Sequence, residues 1–333
     1  MIACVGDDAP PAPVIVDEGG TDSAPSTPPV DAGTDTAAPA DGGCTTCSLL
    51  VTESGNLGDF KVQNNAVTYV VRDGTNTSVK RVPETGGTPT VLFTVANTQS
   101  PGGLAVAPDG TSYVAVDDAA GGWRIVTSTN GNPTPVVVGE KTGAINFVTL
   151  HGNDLVWSDG VEGHLRSCTL PACAVTVTYG AAGAINGFVH DGDGRLFWRT
   201  NLGVASCLPG ADGGEGCTGG PQTVITRGGG FSHFASRDSD VFFTEESAIF
   251  RINRGTGAPS AEAVVVAPKI NGLAMDATHV YAVQQGEVTR WLYNGGGLER
   301  LGTAAQPNDD TRVRLSPTAI YWRDGQSIAR RGR

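Results

Sequence analysis

A unit of about 40 residues recurs seven times between Phe60 and Arg333. Each copy centres on a short apolar strand that runs into a polar turn: TYVVRDG from Thr68, SYVAVDD from Ser112, LVWSDG from Leu155, LFWRTN from Leu196, VFFTEE from Val241, VYAVQQG from Val280 and IYWRDG from Ile320. The residues before the turn are Val71, Val116, Trp157, Trp198, Phe243, Val283 and Trp322, so successive spacings are 45, 41, 41, 45, 40 and 39. A strand-only repeat of that length cannot bury its apolar faces alone and does so by stacking radially on its neighbours. The expected fold is therefore all-β, a seven-bladed β-propeller of four-stranded antiparallel blades over residues 44–333.

The segment from Val5 to Gly43 is built almost wholly of Pro, Ala, Asp, Gly and Thr and has no aromatic residue. It has too little apolar surface to offset the entropy of ordering, so residues 1–43 read as a disordered tether. The formal charge is −12, and eight acidic residues fall in this segment, which leaves −4 for the rest (−12 plus 8). No basic stripe is present, which argues against nucleic acid as a partner. No run of 18 apolar residues occurs, so no helix is expected to span a membrane.

The first four residues, Met-Ile-Ala-Cys, resemble the end of a bacterial lipobox, in which small or aliphatic residues precede the cysteine that receives a lipid. On that reading Cys4 is lipidated, Met1 is a shortened or misassigned start, and the lipid is the protein's one contact with a membrane. The alternative is that Cys4 is an incidental thiol.

Six further cysteines remain, and position in the repeat narrows their pairing. Cys168 and Cys173 flank the outer hairpin of the third blade, and Cys207 and Cys217 flank that of the fourth. Facing positions at the mouth of an antiparallel turn lie near bridging distance, so each pair is expected to form a disulfide. The seventh blade stops at SIARRGR, after its third strand, with no cysteine nearby. The run from Ser48 to Thr52 is expected to supply the missing outer strand and close the ring, leaving Cys47 with Cys44 as its partner. Zinc and a thioredoxin-like redox pair are the competing readings of Cys44-x-x-Cys47, but no second ligand pair and no following helix start are visible. Structural disulfides imply an oxidising compartment, hence export.

Each blade is led into by a related loop, and the strand that follows lines the central channel of a propeller. Asn56, Asn146, Asn186, Asn271 and Asn308 recur in these loops, with His233 in the place of Asn in the fifth. Together they are the candidate ligand-binding set at the channel mouth, offering donors and acceptors toward one point. The plainer reading is that each Asn bonds the backbone of its own turn. His233 breaks the pattern and is the member able to titrate near neutral pH.

No metal set is expected. His151, His164, His190, His233 and His279 sit in different neighbourhoods, and His190-Asp191-Gly192-Asp193-Gly194 lacks the later carboxylate of a calcium loop, so it reads as a tight turn. Nucleophile-elbow, dinucleotide, phosphate-loop and zinc-protease motifs are missing, and no cofactor is called for. Carboxylates such as Asp59, Asp309, Asp310, Glu245 and Glu246 are present, but their mutual distances are not legible in the sequence.

The tether, the anchors LVWSDG and IYWRDG, and the cysteine pairs in SCTLPAC and SCLPGADGGEGC resemble the exported β-propeller lipoproteins of unassigned activity found in myxobacteria and their relatives. VFFTEESAIFRI from Val241 is also similar, over one blade, to the repeat of streptogramin lyases. The Gly-His and Trp-Asp marks of WD40 repeats are missing. The resemblance implies an exported, monomeric, lipid-anchored module of the bacterial cell envelope, at the outer membrane or cell surface, that binds a protein, peptide or glycan. The alternatives are a propeller enzyme, either a lyase or a carbohydrate-active one, and a structural envelope protein.

Overall fold

The computed structural model describes residues 47–333 apart from 97–101, 118–121, 141–144, 159–163, 182–184, 211–215, 227–232, 255–258, 305–311, and the single residues 175, 186, 201 and 246. The tether, Cys4 and Cys44 therefore lie outside the described residues. Among the described residues, twenty-eight strands form seven four-stranded antiparallel sheets, and in six of them the strands run in sequence order from the innermost outward. The seventh is completed by the N-terminal strand, in the order Cys47–Thr52, Ser327–Gly332, Ala319–Asp324, Val313–Leu315.

The repeat anchors explain why the sheets stack. All seven are buried in the second strand of their blades, none more than 4% exposed. Second strands such as Ser112–Asp117 and Leu196–Thr200 are buried at every position, because a neighbouring sheet covers each face. The core accordingly divides into seven clusters, each drawn from two adjacent blades. At the seam between the seventh and first, Ala319, Tyr321 and Ile328 pack against Phe60, Val67, Tyr69 and Val82. The first two blades share Val70, Val79, Phe93, Leu104, Val114 and Val126 in the same way.

Close approach of the inner strands requires glycine at one point in particular. A Cβ on Gly102 would lie 1.9 Å from the Ile145 carbonyl oxygen and 2.9 Å from the Ala115 Cβ, and the Gly103 amide donates to the Ile145 carbonyl at 3.2 Å. The second and third blades thus meet backbone to backbone beside the channel.

The ring closes by pairing of the N-terminal strand with Ser327–Gly332. Ser48 pairs with Arg330 and Thr52 with Ser327, with a bulge between Leu49 and Val51. The Thr52 and Ser327 hydroxyls are 3.0 Å apart, and the Glu53 amide donates to the Gln326 carbonyl at 3.0 Å. Beyond the strand, the Glu53 carboxylate accepts from Tyr69 at 2.7 Å and from Lys80 at 2.8 Å, fixing the passage into the first blade. The edge that an unfinished seventh sheet would present is thereby covered.

Cys168–Cys173 and Cys207–Cys217 are disulfides, with Cα separations of 4.8 and 5.2 Å. Both second cysteines precede the fourth strand, which begins only at Val177 in one blade and Gln222 in the other, and Cys217 pairs with Pro209 in an isolated bridge. Cys47 is also disulfide-bonded.

Candidate functional site

The inner strands expose alternate residues to the channel. In the first blade Asp59 and Lys61 flank Phe60, which is fully buried in the core; in the seventh, Arg312 and Arg314 flank the fully buried Val313. This is the two-residue period of a strand with one face on the core and the other on an aqueous channel. A bulge between Leu57 and Phe60, at Gly58-Asp59, sets the direction of Asp59.

These four charges line a cavity of about 170 Å³ together with Phe147, Thr149, Phe188, His233 and Leu273, so six blades contribute to one space. Asp59 is its single carboxylate among the described residues. It lies 3.1 Å from the Lys61 ammonium and 3.2 Å from the Arg314 guanidinium, and also accepts from the Phe60 amide at 2.9 Å. Arg314 extends over the Phe60 ring at 5.8 Å, and Arg312 over the Phe147 ring at 5.3 Å. Arg312 has no carboxylate within ion-pair distance among the described residues.

Electrostatics follow from this crowding. Burial alone would raise the Asp59 carboxyl, but Lys61, Arg314 and Arg312 together outweigh it and hold the group far below the usual carboxylate range. Burial pushes the Lys61 ammonium down, Asp59 opposes that, and Arg314 and Arg312 reinforce it, leaving the amine at about 8. Burial also lowers Arg314, against the attraction of Asp59. Among the described residues, three cationic side chains therefore face one ionised carboxylate, an excess of positive charge in a protein whose overall balance is negative.

Of the predicted mouth residues, His233 alone lines this cavity among the described residues. It is 8% exposed, and its backbone is fixed by two bonds of 2.9 Å to Thr244. Asn56 is exposed and accepts a long contact from Arg323 at 3.5 Å; Asn146 is exposed. Asn271 lines a separate cavity of about 390 Å³ with Lys269, Gln285 and Gly286. Asn186 and Asn308 lie outside the described residues. The expected equivalence of the asparagines fails in register: Asn56 pairs opposite Arg72, one step beyond the anchor Val71, whereas Asn271 pairs opposite the anchor Val283 itself. One residue of offset turns a side chain to the other face of a strand.

Other expectations resolve locally. Asp191 is engaged by the Asp193 and Arg195 amides, both at 2.9 Å, and by Arg254, so His190 to Gly194 is a tight turn held by its first aspartate. Glu245 is bound at 2.9 Å by the fully buried Arg199. A larger groove of about 630 Å³ between the fourth and fifth blades has its carboxylates Asp193 and Asp240 already paired with Arg254 and Arg251. No group of three metal-ligating side chains occurs among the described residues, and no helix there is long and apolar enough to cross a membrane.

No protein-family model and no curated protein matches the sequence. Solved structures do. The structure of YCF48 bound to D1 peptide superposes with a TM-score of 0.64 at 12% identity, covering 86% of this protein and 94% of that one. The WD40 β-propeller domain of Doa1 gives 0.64 at 11%, covering 86% and 96%. The extracellular domain of BT4673 from B. thetaiotaomicron gives 0.61 at 12%, covering 86% of this protein and 40% of that one. At these identities the likeness is one of fold: the protein is a seven-bladed β-propeller.

Proposed function

We propose that the protein is an exported interaction module, held to the cell envelope by a lipid on Cys4, that binds a protein or peptide at the channel mouth. The observation that carries this reading is the charged cavity in the channel. At about 170 Å³ it is smaller than the ~300 Å³ at which small-molecule pockets begin, and suits one side chain of a larger partner. A neutral glycan would leave its charges without a counterpart. Asp59 is too weakly basic for general acid–base work near neutral pH, whereas Lys61 at about 8 is within reach of it, and a propeller enzyme is the alternative reading.

Two disulfides suit an oxidising compartment, and the extracellular domain of BT4673 shares the fold. YCF48, of the same fold, is seen with a peptide. His233 supplies part of the wall of the proposed site, and Asn271 lies at the separate cavity beside Lys269.

A peptide-display selection on the full-length protein tests this reading, with a photo-crosslinking residue at Asn271 or, as the distant control, at Val91 on the outer strand of the first blade. Selected peptides are expected to crosslink at Asn271 and not at Val91. Crosslinking confined to Val91, or no selected peptide, would remove the channel mouth as the binding face.

A further inference from the structure

Among the described residues the channel cavity is lined by three cationic side chains and one carboxylate, and Arg312 is the cation outside that carboxylate's ion pairs. Lys61 and Arg314 share Asp59, at 3.1 and 3.2 Å. Arg312 makes no ion pair among the described residues and lies over Phe147, its guanidinium carbon 5.3 Å from the ring centre. Stacking of that kind fixes the plane of a guanidinium while leaving its N–H fork open for a planar, bidentate acceptor. His233, Thr149, Phe147, Phe188 and Leu273 complete the wall, so an arriving anion meets one amine, two oriented guanidiniums and an apolar collar. Withdrawal from bulk water strengthens each of these attractions over its value at an exposed surface.

We propose that this cavity is a receptor for a single carboxylate carried by the partner, paired with Arg312 and Lys61 while the stem of the bound residue lies against Phe147 and Phe188. The proposal rests on the peptide-binding reading above and gives it a chemical class. The carboxylate has two sources, the side group of an acidic residue or a free peptide terminus. Both present the same planar pair of oxygens, and the cavity volume admits one of them at a time.

The test is calorimetric titration of the full-length protein with short peptides: one with an internal Asp and both ends capped, its Asn counterpart, and an all-glycine peptide with a free terminal carboxylate. Acetate and sulfate are titrated alongside. Binding of the Asp peptide assigns the side-group source, and binding of the free-ended glycine peptide the terminal one. The Asn peptide is expected to bind at least roughly tenfold more weakly, the loss of one charge-assisted hydrogen bond. Arg312→Gln is expected to abolish that difference, and since Arg312 belongs to no ion pair among the described residues, its unfolding midpoint should stay near that of the parent protein. Asp59→Asn should tighten carboxylate binding, because the internal competitor is gone.

Equal binding of the Asp and Asn peptides together with no binding of the free-ended glycine peptide would overturn the proposal. Binding of acetate and sulfate with neither carboxylate peptide would do the same. If the display-selected peptides still crosslink at Asn271 while these arms fail, the carboxylate receptor falls and the interaction module stands. If crosslinking fails as well, both fall.

Discussion

Asp59 and Arg314 are 255 residues apart in sequence and 3.2 Å apart in the fold, joining the inner strands of the first and seventh blades. The ring is therefore tied at both radii of its closing seam. The outer tie is the N-terminal strand beside Ser327–Gly332, and the inner one is this ion pair. One carboxylate balances Lys61 and Arg314 there, so its loss leaves two partly buried cations facing each other.

Asp59→Asn is expected to lower stability by about 2–3 kcal/mol, somewhat below the cost of breaking a fully buried pair, because the channel admits solvent. Phosphate should restore more of the unfolding midpoint in this variant than in the parent protein, since the anion takes the vacated place. Thermal unfolding with and without phosphate checks both signs. A variant that is destabilised and gains nothing from phosphate would contradict the account.

Lys61 gives the site a pH dependence. Its folded value of about 8 lies below the ordinary lysine value. Between the two, the unfolded state holds a proton that the fold does not, so stability rises with pH across that window. Anion binding runs the opposite way, weakening as pH passes upward through about 8 and the ammonium is lost. The facing groups are Asp59, Arg314 and Arg312, with His233 across the cavity, and the window lies above the ordinary imidazole range. Lys61→Arg should remove the fall, which titrations at about pH 7 and about pH 9.5 would show directly, on either side of the lysine transition.

The Cys207–Cys217 bridge closes a short loop at the rim of the fourth blade, with a sequence separation of 10. Replacing both cysteines with serine is expected to cost about 2–3 kcal/mol at most. Denaturant unfolding measures the loss, and channel binding should be unchanged because neither cysteine lines the cavity.

Two glycines separate contact from conformation. Gly102→Ala forces a Cβ to 1.9 Å from the Ile145 carbonyl oxygen, where backbone has to move, and should cost about 3 kcal/mol or more. Gly74→Ala meets nothing within 4 Å, but its φ of +59° carries a strain cost of only about 1 kcal/mol. Comparing their unfolding midpoints tests whether the inner backbone contact between the second and third blades is as tight as described.

The fold was legible because a fixed period ties local pattern to global position. Once Val71 and Trp322 are aligned as equivalent anchors, blade number, the closing role of Ser48 to Thr52 and the two outer-hairpin disulfides follow. The channel charges were harder to find. Asp59 and Arg314 are too distant in sequence to suggest a pair, although Asp59-Phe60-Lys61 and Arg312-Val313-Arg314 carry a signal: charge alternating with an apolar core residue on an inner strand. The asparagine set was aligned by loop similarity. The bulges after Leu57 and after Asn271 fall at the same place relative to the anchors Val71 and Val283, so Leu57 rather than Asn56 is the register equivalent of Asn271, and loop similarity had set the two asparagines one residue out of step.

The most direct measurement is a double-mutant cycle between partner and cavity: peptide Asp→Asn against Arg312→Gln, four affinities measured at one pH and ionic strength. A carboxylate seated on Arg312 predicts strong non-additivity, with each single change costing roughly tenfold and the second adding little to the first. Costs that simply add would contradict the contact and, with it, the assignment of the channel as the receptor.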